Sequence, residues 1–293
     1  MIEIRIPKAS FVPLSQVPAD ESTTNLVYGG SRTGKTFFSG TAGNRSLYIY
    51  FRVGQGIDTL SSPDFIAKHG RIEPITVCIE ETDEVSAFNT VCDAIDYALA
   101  TFPEKFDVVI VDEATAFRRH GMIEGMTVAG KDLGKKKLEK VAARHTDFFI
   151  PDQGDYGAEM ALIEWWVGKY TGILKSHKKH LLMLAHERHI YEKILDVQGK
   201  SIEVLKQIKP GFTVKTHPDA VIAYFDSVFY IECVGWDKNF KPVINLRTIG
   251  DKQLVAGTRF GGVFPNVIKD PNFLDMMKLV KKHRESLTRS PTQ

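Results

Sequence analysis

The sequence predicts an α/β fold: a mostly parallel sheet flanked by helices and extended by antiparallel strands towards the C-terminus. Three observations carry this. Short apolar runs alternate with helical patterns through the first two thirds of the chain. One such run leads into a glycine-rich turn and another ends in two carboxylates, and ligands collect at such strand ends in α/β sheets. Beyond residue 200, strand patterns follow one another with no helix between them.

The elements follow in order. Residues 2–6 read as a short strand followed by a proline-containing linker, so 1–24 is set apart from a single domain over 25–281. Strands are expected at 25–28, 46–51, 75–79 and 106–111, from apolar and β-branched runs of strand length. Helices are expected at 34–42 and 84–101, the second stopping before Pro103. Residues 117–155 are basic and glycine-rich and read as a long loop. An amphipathic helix spans 156–177, and the strand 181–185 follows it directly. Residues 220–234 hold one or two strands and 242–248 another. The polar stretch 282–293 reads as a flexible tail.

The chemistry begins at Gly29-Gly30-Ser31-Arg32-Thr33-Gly34-Lys35-Thr36, which satisfies G-x-x-x-x-G-K-[ST]. An apolar strand precedes it and a helix follows, the arrangement a phosphate loop needs. Glycines let successive N–H groups converge on one anion. Lys35 would reach the terminal phosphates and the Thr36 hydroxyl would ligate Mg²⁺. The second half is Phe106-Asp107-Val108-Val109-Ile110-Val111-Asp112-Glu113, an apolar strand ending in two acids. Asp112 would share the Mg²⁺ with Thr36, and Glu113 would polarise an attacking water as general base. The long separation of Lys35 from Asp112 leaves room for an inserted strand, and 181–185 is the candidate. His186, at its end, would then face the γ-phosphate as a sensor, or simply cap a strand. Guanine recognition needs an N-K-x-D pattern, and Trp236-Asp237-Lys238-Asn239 has those letters in the wrong order, so ATP is the expected nucleotide.

Composition bounds the rest. Lys plus Arg is 38 and Asp plus Glu is 36, so any nucleic-acid surface must come from local clustering. Three scattered cysteines argue against a disulfide framework and for a reducing compartment, the cytoplasm. The N-terminus has no apolar core of signal-peptide length. Asp226 and Glu232 interrupt the most apolar late stretch, so no membrane association is expected. His177, His180, His186 and His189 lie close in sequence but lack the spacing of a zinc site.

Five stretches carry a family resemblance: LVYGGSRTGKT (26–36), LYIYFRVGQGIDTL (47–60), FDVVIVDEAT (106–115), DYGAEMALIEWW (155–166) and TRFGGVFPNVIKDPNF (258–273). With them the chain resembles the small RecA-like phage ATPases linked to single-strand annealing and recombination. The last stretch is the most telling, because many ATPases share the phosphate loop and the acidic strand. The resemblance implies a RecA-like P-loop NTPase core, Mg-ATP binding, self-assembly into a ring or filament, and contact with single-stranded DNA. A single-strand-binding protein is a candidate further partner. It also implies a basic side chain reaching the neighbouring subunit's γ-phosphate, for which Arg259 and Lys252 are candidates. Two departures stand out. Relatives carry a carboxylate just after the second strand, whereas here Phe51-Arg52-Val53-Gly54 follows and no acid comes before Asp58. Their acidic strand commonly continues with serine, whereas here it continues with Glu113. That is closer to AAA-type ATPases and to viral DNA-packaging motors, in which an arginine placed like Arg32 can act in cis. Packaging motors are the alternative family, although 293 residues leave no room for their usual nuclease domain. A second alternative is a DNA-binding assembly protein that uses ATP only as a structural switch.

DNA contact is expected from Arg118 and Arg119, and from Lys135, Lys136 and Lys137 in the basic loop. Phosphate-backbone binding needs charge and adaptability, and Phe117, Phe148 and Phe149 could add stacking faces. A solvated charged loop is the competing reading. The segment 188–217, with Lys193, Lys200, Lys206, Lys209 and Lys215, is a second candidate loop. Trp165 and Trp166 read as core residues of the amphipathic helix. Neutralising Lys135, Lys136 and Lys137 together is expected to weaken single-strand binding. Each lost phosphate contact should flatten the log–log salt slope by about 0.7. Fluorescence titration across a salt series checks it, and an unchanged affinity and slope would remove this loop from the DNA surface.

Overall fold

The computed structural model describes residues 22–51, 56–80, 87–128, 153–195, 200–211, 221–238 and 241–289. The apolar runs become strands β1 (Thr24–Gly29), β2 (Ser46–Phe51), β3 (Ile75–Ile79) and β4 (Val108–Asp112). They are followed by β5 (His180–Leu195), β6 (Ser201–Pro210), β7 (Ser227–Trp236), β8 (Pro242–Arg247), β9 (Gly257–Thr258) and β10 (Val267–Lys269). The helices are α1 (Lys35–Gly40), α2 (Pro63–His69), α3 (Ala87–Thr101), α4 (Ala114–Val128), α5 (Gln153–Ser176) and α6 (Phe273–Arg289).

Among the described residues the strands form one ten-stranded sheet ordered β10-β8-β7-β1-β5-β4-β2-β3, with β6 paired to β5 and β9 to β7. The run from β7 through β1, β5, β4 and β2 to β3 is parallel throughout. The β8 and β10 pairings are antiparallel, as are those of β6 and β9. The fold is therefore α/β, with a mostly parallel central sheet flanked by helices and extended by antiparallel strands. The expected insertion is present: β5 lies between β1 and β4, with Leu182 beside both Asn25 and Ile110.

Both faces of the parallel strands are covered, which is why they read as continuous apolar runs rather than alternating ones. Val109 and Val111 face α3, α4 and α5, where Phe88, Val91, Phe117, Trp166 and Tyr170 are buried. Val108 and Ile110 face α1, α2 and α6, where Phe38, Phe65, Phe273 and Met276 are buried. At the N-terminal edge, Asp226 clamps three elements. It accepts from Thr24 N at 2.9 Å and from Thr24 Oγ1 at 3.1 Å, and it lies 3.0 Å from Lys175 Nζ on α5.

Several expectations are corrected. The start of the expected 117–155 loop is the helix α4, and its glycines serve packing rather than suppleness. A Cβ on Gly121 would lie 3.0 Å from Ile163 Cδ1, and one on Gly125 3.1 Å from Ala158 Cβ, so α4 and α5 pack closely. Where it is described, the expected 188–217 loop is instead an antiparallel ribbon over 188–195 and 201–210, with β5 running on from the sheet to pair with β6. Helix α6 occupies much of the expected tail. Its Phe273, Met276, Met277 and Val280, which precede the expected tail, recur at helical spacing and are buried. Helix α2 was also missed, although its Ser62 cap accepts from Phe65 N at 3.2 Å and Pro63 opens the first turn. Trp166 is in the core, but Trp165 is half exposed with Lys169 Nζ 4.9 Å from its ring centre. The expected strand at 2–6, together with Lys135, Lys136, Lys137, Phe148, Phe149 and Lys215, lies outside the described residues.

Arg118 is diverted from the expected DNA surface. Its guanidinium pairs with Glu159 of α5, whose side chain is 1% exposed, and donates to Gly211 O at 3.3 Å. Arg119, the next residue, is exposed. Removing one member of a buried pair leaves a charge uncompensated and costs about 3–5 kcal/mol. Arg118→Ala is therefore expected to lower the urea midpoint strongly, whereas Arg119→Ala should stay within about 0.5 kcal/mol of the parent. A parental urea curve for Arg118→Ala would return this arginine to the DNA candidates.

Candidate functional site

The C-terminal edge of the parallel strands gathers the residues singled out in the sequence. Gly29 ends β1, and Gly30 to Gly34 lead into α1. The loop is shaped by close approach. A Cβ on Gly29 would lie 2.2 Å from Ile231 O of β7. Gly34 has φ 93°, and a Cβ there would lie 2.4 Å from Ile244 Cδ1 of β8. Neither place tolerates a side chain. Arg32 also adopts the left-handed conformation, φ 61°, and with Ser31 stands exposed on the loop. Thr33 Oγ1 donates to Gly30 O at 2.9 Å, closing the turn on itself.

Lys35 is buried and donates to the loop carbonyls Gly29 O at 2.9 Å and Gly30 O at 2.6 Å. Burial pushes its pKa down, against the opposing pull of Glu113, Asp112 and Glu187. Beside it, Thr36 Oγ1 donates to Asp112 Oδ2 at 3.0 Å, and Tyr48 Oη of β2 donates to the same oxygen at 2.7 Å. Burial raises the Asp112 pKa, and these two hydrogen bonds counter the rise. Tyr48 is itself fully buried, with Ser39 Oγ of α1 at 2.9 Å. Residues 35, 36, 48 and 112 thus form one polar cluster between α1, β2 and β4.

The strand β5 delivers His186 to the same edge. Its Nε2 lies 3.2 Å from Glu113 Oε1. That oxygen is buried and has no aligned hydrogen-bond donor. The His186 backbone N–H donates to Thr115 Oγ1 at 3.2 Å, which ties β5 to the start of α4.

Three residues of the site escaped the sequence reading. Glu187 follows His186 and accepts from Tyr230 Oη at 3.0 Å, with His189 Nε2 also at 3.0 Å. Its Oε1 would lie 3.5 Å from a Cβ on Gly30, so a third carboxylate stands at the loop. Tyr48 looked like an ordinary strand residue. A Cβ on Gly56 would lie 2.5 Å from Thr36 Oγ1, so the Gly56 backbone comes up against the threonine. Asp58 sits exposed in the short 3-10 turn that follows. Among the described residues no group of three or more His, Cys, Asp and Glu side chains could by itself hold a metal ion.

The structure brings Lys35, Thr36, Asp112, Glu113 and His186 together, but it separates Arg259 from them. Arg259 donates through its backbone N–H to Asp226 O at 2.8 Å, and its guanidinium donates to Ala223 O. That is the N-terminal edge of the sheet, one full strand length (roughly 17–20 Å) from this chain's own loop. Arg259 therefore takes no part in the chain's own site. A scan of protein-family models finds no match to the chain, and a search of curated proteins finds none either.

The two loop glycines make a controlled comparison. Gly29→Ala forces a Cβ against the Ile231 carbonyl of β7, whereas the nearest atom to a Cβ on Gly30 is Thr33 Cγ2 at 3.4 Å. Overpacking of this kind costs typically 1–3 kcal/mol or more. Gly29→Ala is expected to lower the thermal midpoint by several degrees and Gly30→Ala to leave it unchanged or slightly raised. Equal midpoints would contradict the close approach of β1 and β7.

Proposed function

We propose that the chain is a RecA-like P-loop ATPase that binds Mg-ATP, hydrolyses it and acts on single-stranded DNA in recombination or annealing. The observation that carries this reading is the 3.0 Å contact between Thr36 Oγ1 and Asp112 Oδ2. Two residues 76 positions apart in sequence, each chosen for its motif, meet at the mouth of the glycine-rich loop. The position of β5 between β1 and β4 supports the same reading, because it brings His186 between the two motifs.

The donor set fits Mg²⁺. A hydroxyl and a carboxylate are hard oxygen ligands, and Mg²⁺ beside phosphates is commonly held by few protein groups, with phosphate oxygens and water completing its shell. Bound there, the ion would neutralise phosphate charge. Lys35 would leave the carbonyls of Gly29 and Gly30 for the phosphates, which are stronger acceptors. Glu113 would orient and deprotonate the attacking water, and His186, whose Nε2 lies 3.2 Å from Glu113 Oε1, would sense the terminal phosphate.

The DNA part of the proposal rests on the sequence resemblance, on exposed Arg119, and on the ribbon. There Tyr191 is 56% exposed and stands between His189 and Lys193. Assembly into a ring or filament, with Arg259 serving a neighbour's site and a single-strand-binding protein as a further partner, belongs to the same reading. So does a cytoplasmic setting. Among the described residues no helix is long and apolar enough to cross a membrane.

A second reading keeps ATP as a structural switch with negligible turnover. The exposed position of Asp58, the first acid after β2, favours it, because Asp58 then does not serve as the carboxylate that RecA-like proteins carry after that strand. Turnover separates the two. Lys35→Ala is expected to abolish ATP binding. Glu113→Gln should leave binding intact and cut hydrolysis by roughly 10²-fold or more, the usual loss for a positioned general base. Binding by calorimetry and phosphate release with and without single-stranded DNA check both. Parental turnover in Lys35→Ala would refute the phosphate-loop assignment, and a loss of only about twofold in Glu113→Gln would favour the switch.

A further inference from the structure

Trp236 ends β7 with 68% of its surface exposed. Its place in the ladder gives that exposure a meaning. Tyr230 pairs with Tyr28, so the later residues of β7 run on past the end of β1 and over the C-terminal edge. On the returning strand β8, Leu246 faces Ile231 and Ile244 faces Cys233. After a register shift between Cys233 and Gly235, Pro242 faces Trp236. Alternation along β8 sets Pro242, Ile244 and Leu246 on one face of the sheet. Ile231, Ile244 and Leu246 are buried in the core under α1, so this is the α1 face. Ile244 Cδ1 is also the atom that crowds Gly34. Trp236 and Pro242 therefore stand on the phosphate-loop face, two residues (roughly 7 Å) farther out than Ile244. That is the scale of the ribose that separates a base from its phosphates. Lys241 Nζ lies 3.2 Å from Asp64 Oδ1, which ties this end of the hairpin to the start of α2.

We propose that Trp236, flanked by Pro242, is the stacking platform for the base of the bound nucleoside triphosphate. An indole face stacks on any base, so the platform supplies affinity without base identity. The site rests on the proposed phosphate loop, and two ligands separate the two ideas. Mg-ATP carries a base, whereas inorganic triphosphate tests the loop alone.

Calorimetric titration of the full chain with each ligand is the test. The parent is expected to bind both. Trp236→Ala should weaken Mg-ATP by roughly 5- to 100-fold, the usual range for one lost base–aromatic stack. It should leave triphosphate affinity unchanged, and Trp236→Phe should recover most of the ATP affinity. ATP affinity within twofold of the parent in Trp236→Ala would overturn the platform and leave the indole an isolated surface residue. Equal losses for both ligands would also overturn it, by showing that the substitution disturbs the loop. A parent that fails to bind triphosphate would refute the phosphate site itself, and the platform with it.

Discussion

A buried carboxylate at the end of a parallel strand sets the terms for the candidate site. Asp112 is nearly enclosed, and burial works against its charge. A charged group in that position needs donors. It has two, the hydroxyls of Thr36 and Tyr48, at 3.0 and 2.7 Å. These donors belong to α1 and β2, so meeting Asp112's needs fixes the helix after the glycine-rich loop and the second strand against β4. The same hydrogen bonds that make the carboxylate tolerable also give the site its geometry. Replacing one of these hydroxyls would withdraw a donor and at the same time release an element of the frame.

The parallel sheet decides where everything else goes. With β7, β1, β5, β4 and β2 all running one way, each strand delivers its last residue to the same edge. Gly29, His186 and Asp112 arrive there because they end strands or the parallel part of a strand. The opposite edge collects a different set. Asp226 binds Thr24, Lys175 and Arg259 there, and it is itself buried. One edge therefore gathers Lys35, Asp112, Glu113 and His186, and the other the ion pairs of Asp226. Strand direction explains why Arg259, despite lying in a stretch suggestive of ATPases, sits a whole strand away from the loop in its own chain.

Much of this was legible in the sequence, and what was not has physical reasons. The glycine-rich loop, the acidic strand and the inserted strand announce themselves through local spacing: an apolar run and then a fixed pattern of glycines or acids. The pairing of Arg118 with Glu159 does not, because the two residues are 41 positions apart and each alone looks like solvated charge. The glycines of α4 misled in the same way. Gly121 and Gly125 resemble loop residues until Ile163 and Ala158 of α5 are seen pressed against them. The ribbon has no clear sequence signature because its outer part, 191–195 and 201–204, is exposed on both faces and buries no apolar stripe. Helix α6 was a different kind of miss. Its Phe273, Met276, Met277 and Val280 recur at helical spacing, and only the polar residues from 282 onward read as a tail. In the site, Tyr48 and Glu187 carry no motif. Only the fold brings a strand tyrosine under Asp112 and a glutamate beside Gly30.

Glu187 also marks the joint between two structural regimes. Up to His186, β5 is a buried parallel strand between β1 and β4. From Glu187 onward it is one leg of the ribbon, paired only with β6. No loop separates the two parts. At the joint, Glu187 is held by Tyr230 of β7 and stands beside Gly30, while His189, two residues along the ribbon, reaches back to it. Arg118 donates to Gly211 O just past the end of β6, and Tyr28 Oη to Ile208 O within it, so the returning leg is pinned as well. A ribbon of two strands is marginal by itself in water. Here its root gains order from contacts with β1, β7 and α4, the same elements that frame the loop. The orientation of the ribbon and the position of the glycine-rich loop are thus set by one shared group of side chains. Neither can shift without the Glu187 contacts being remade.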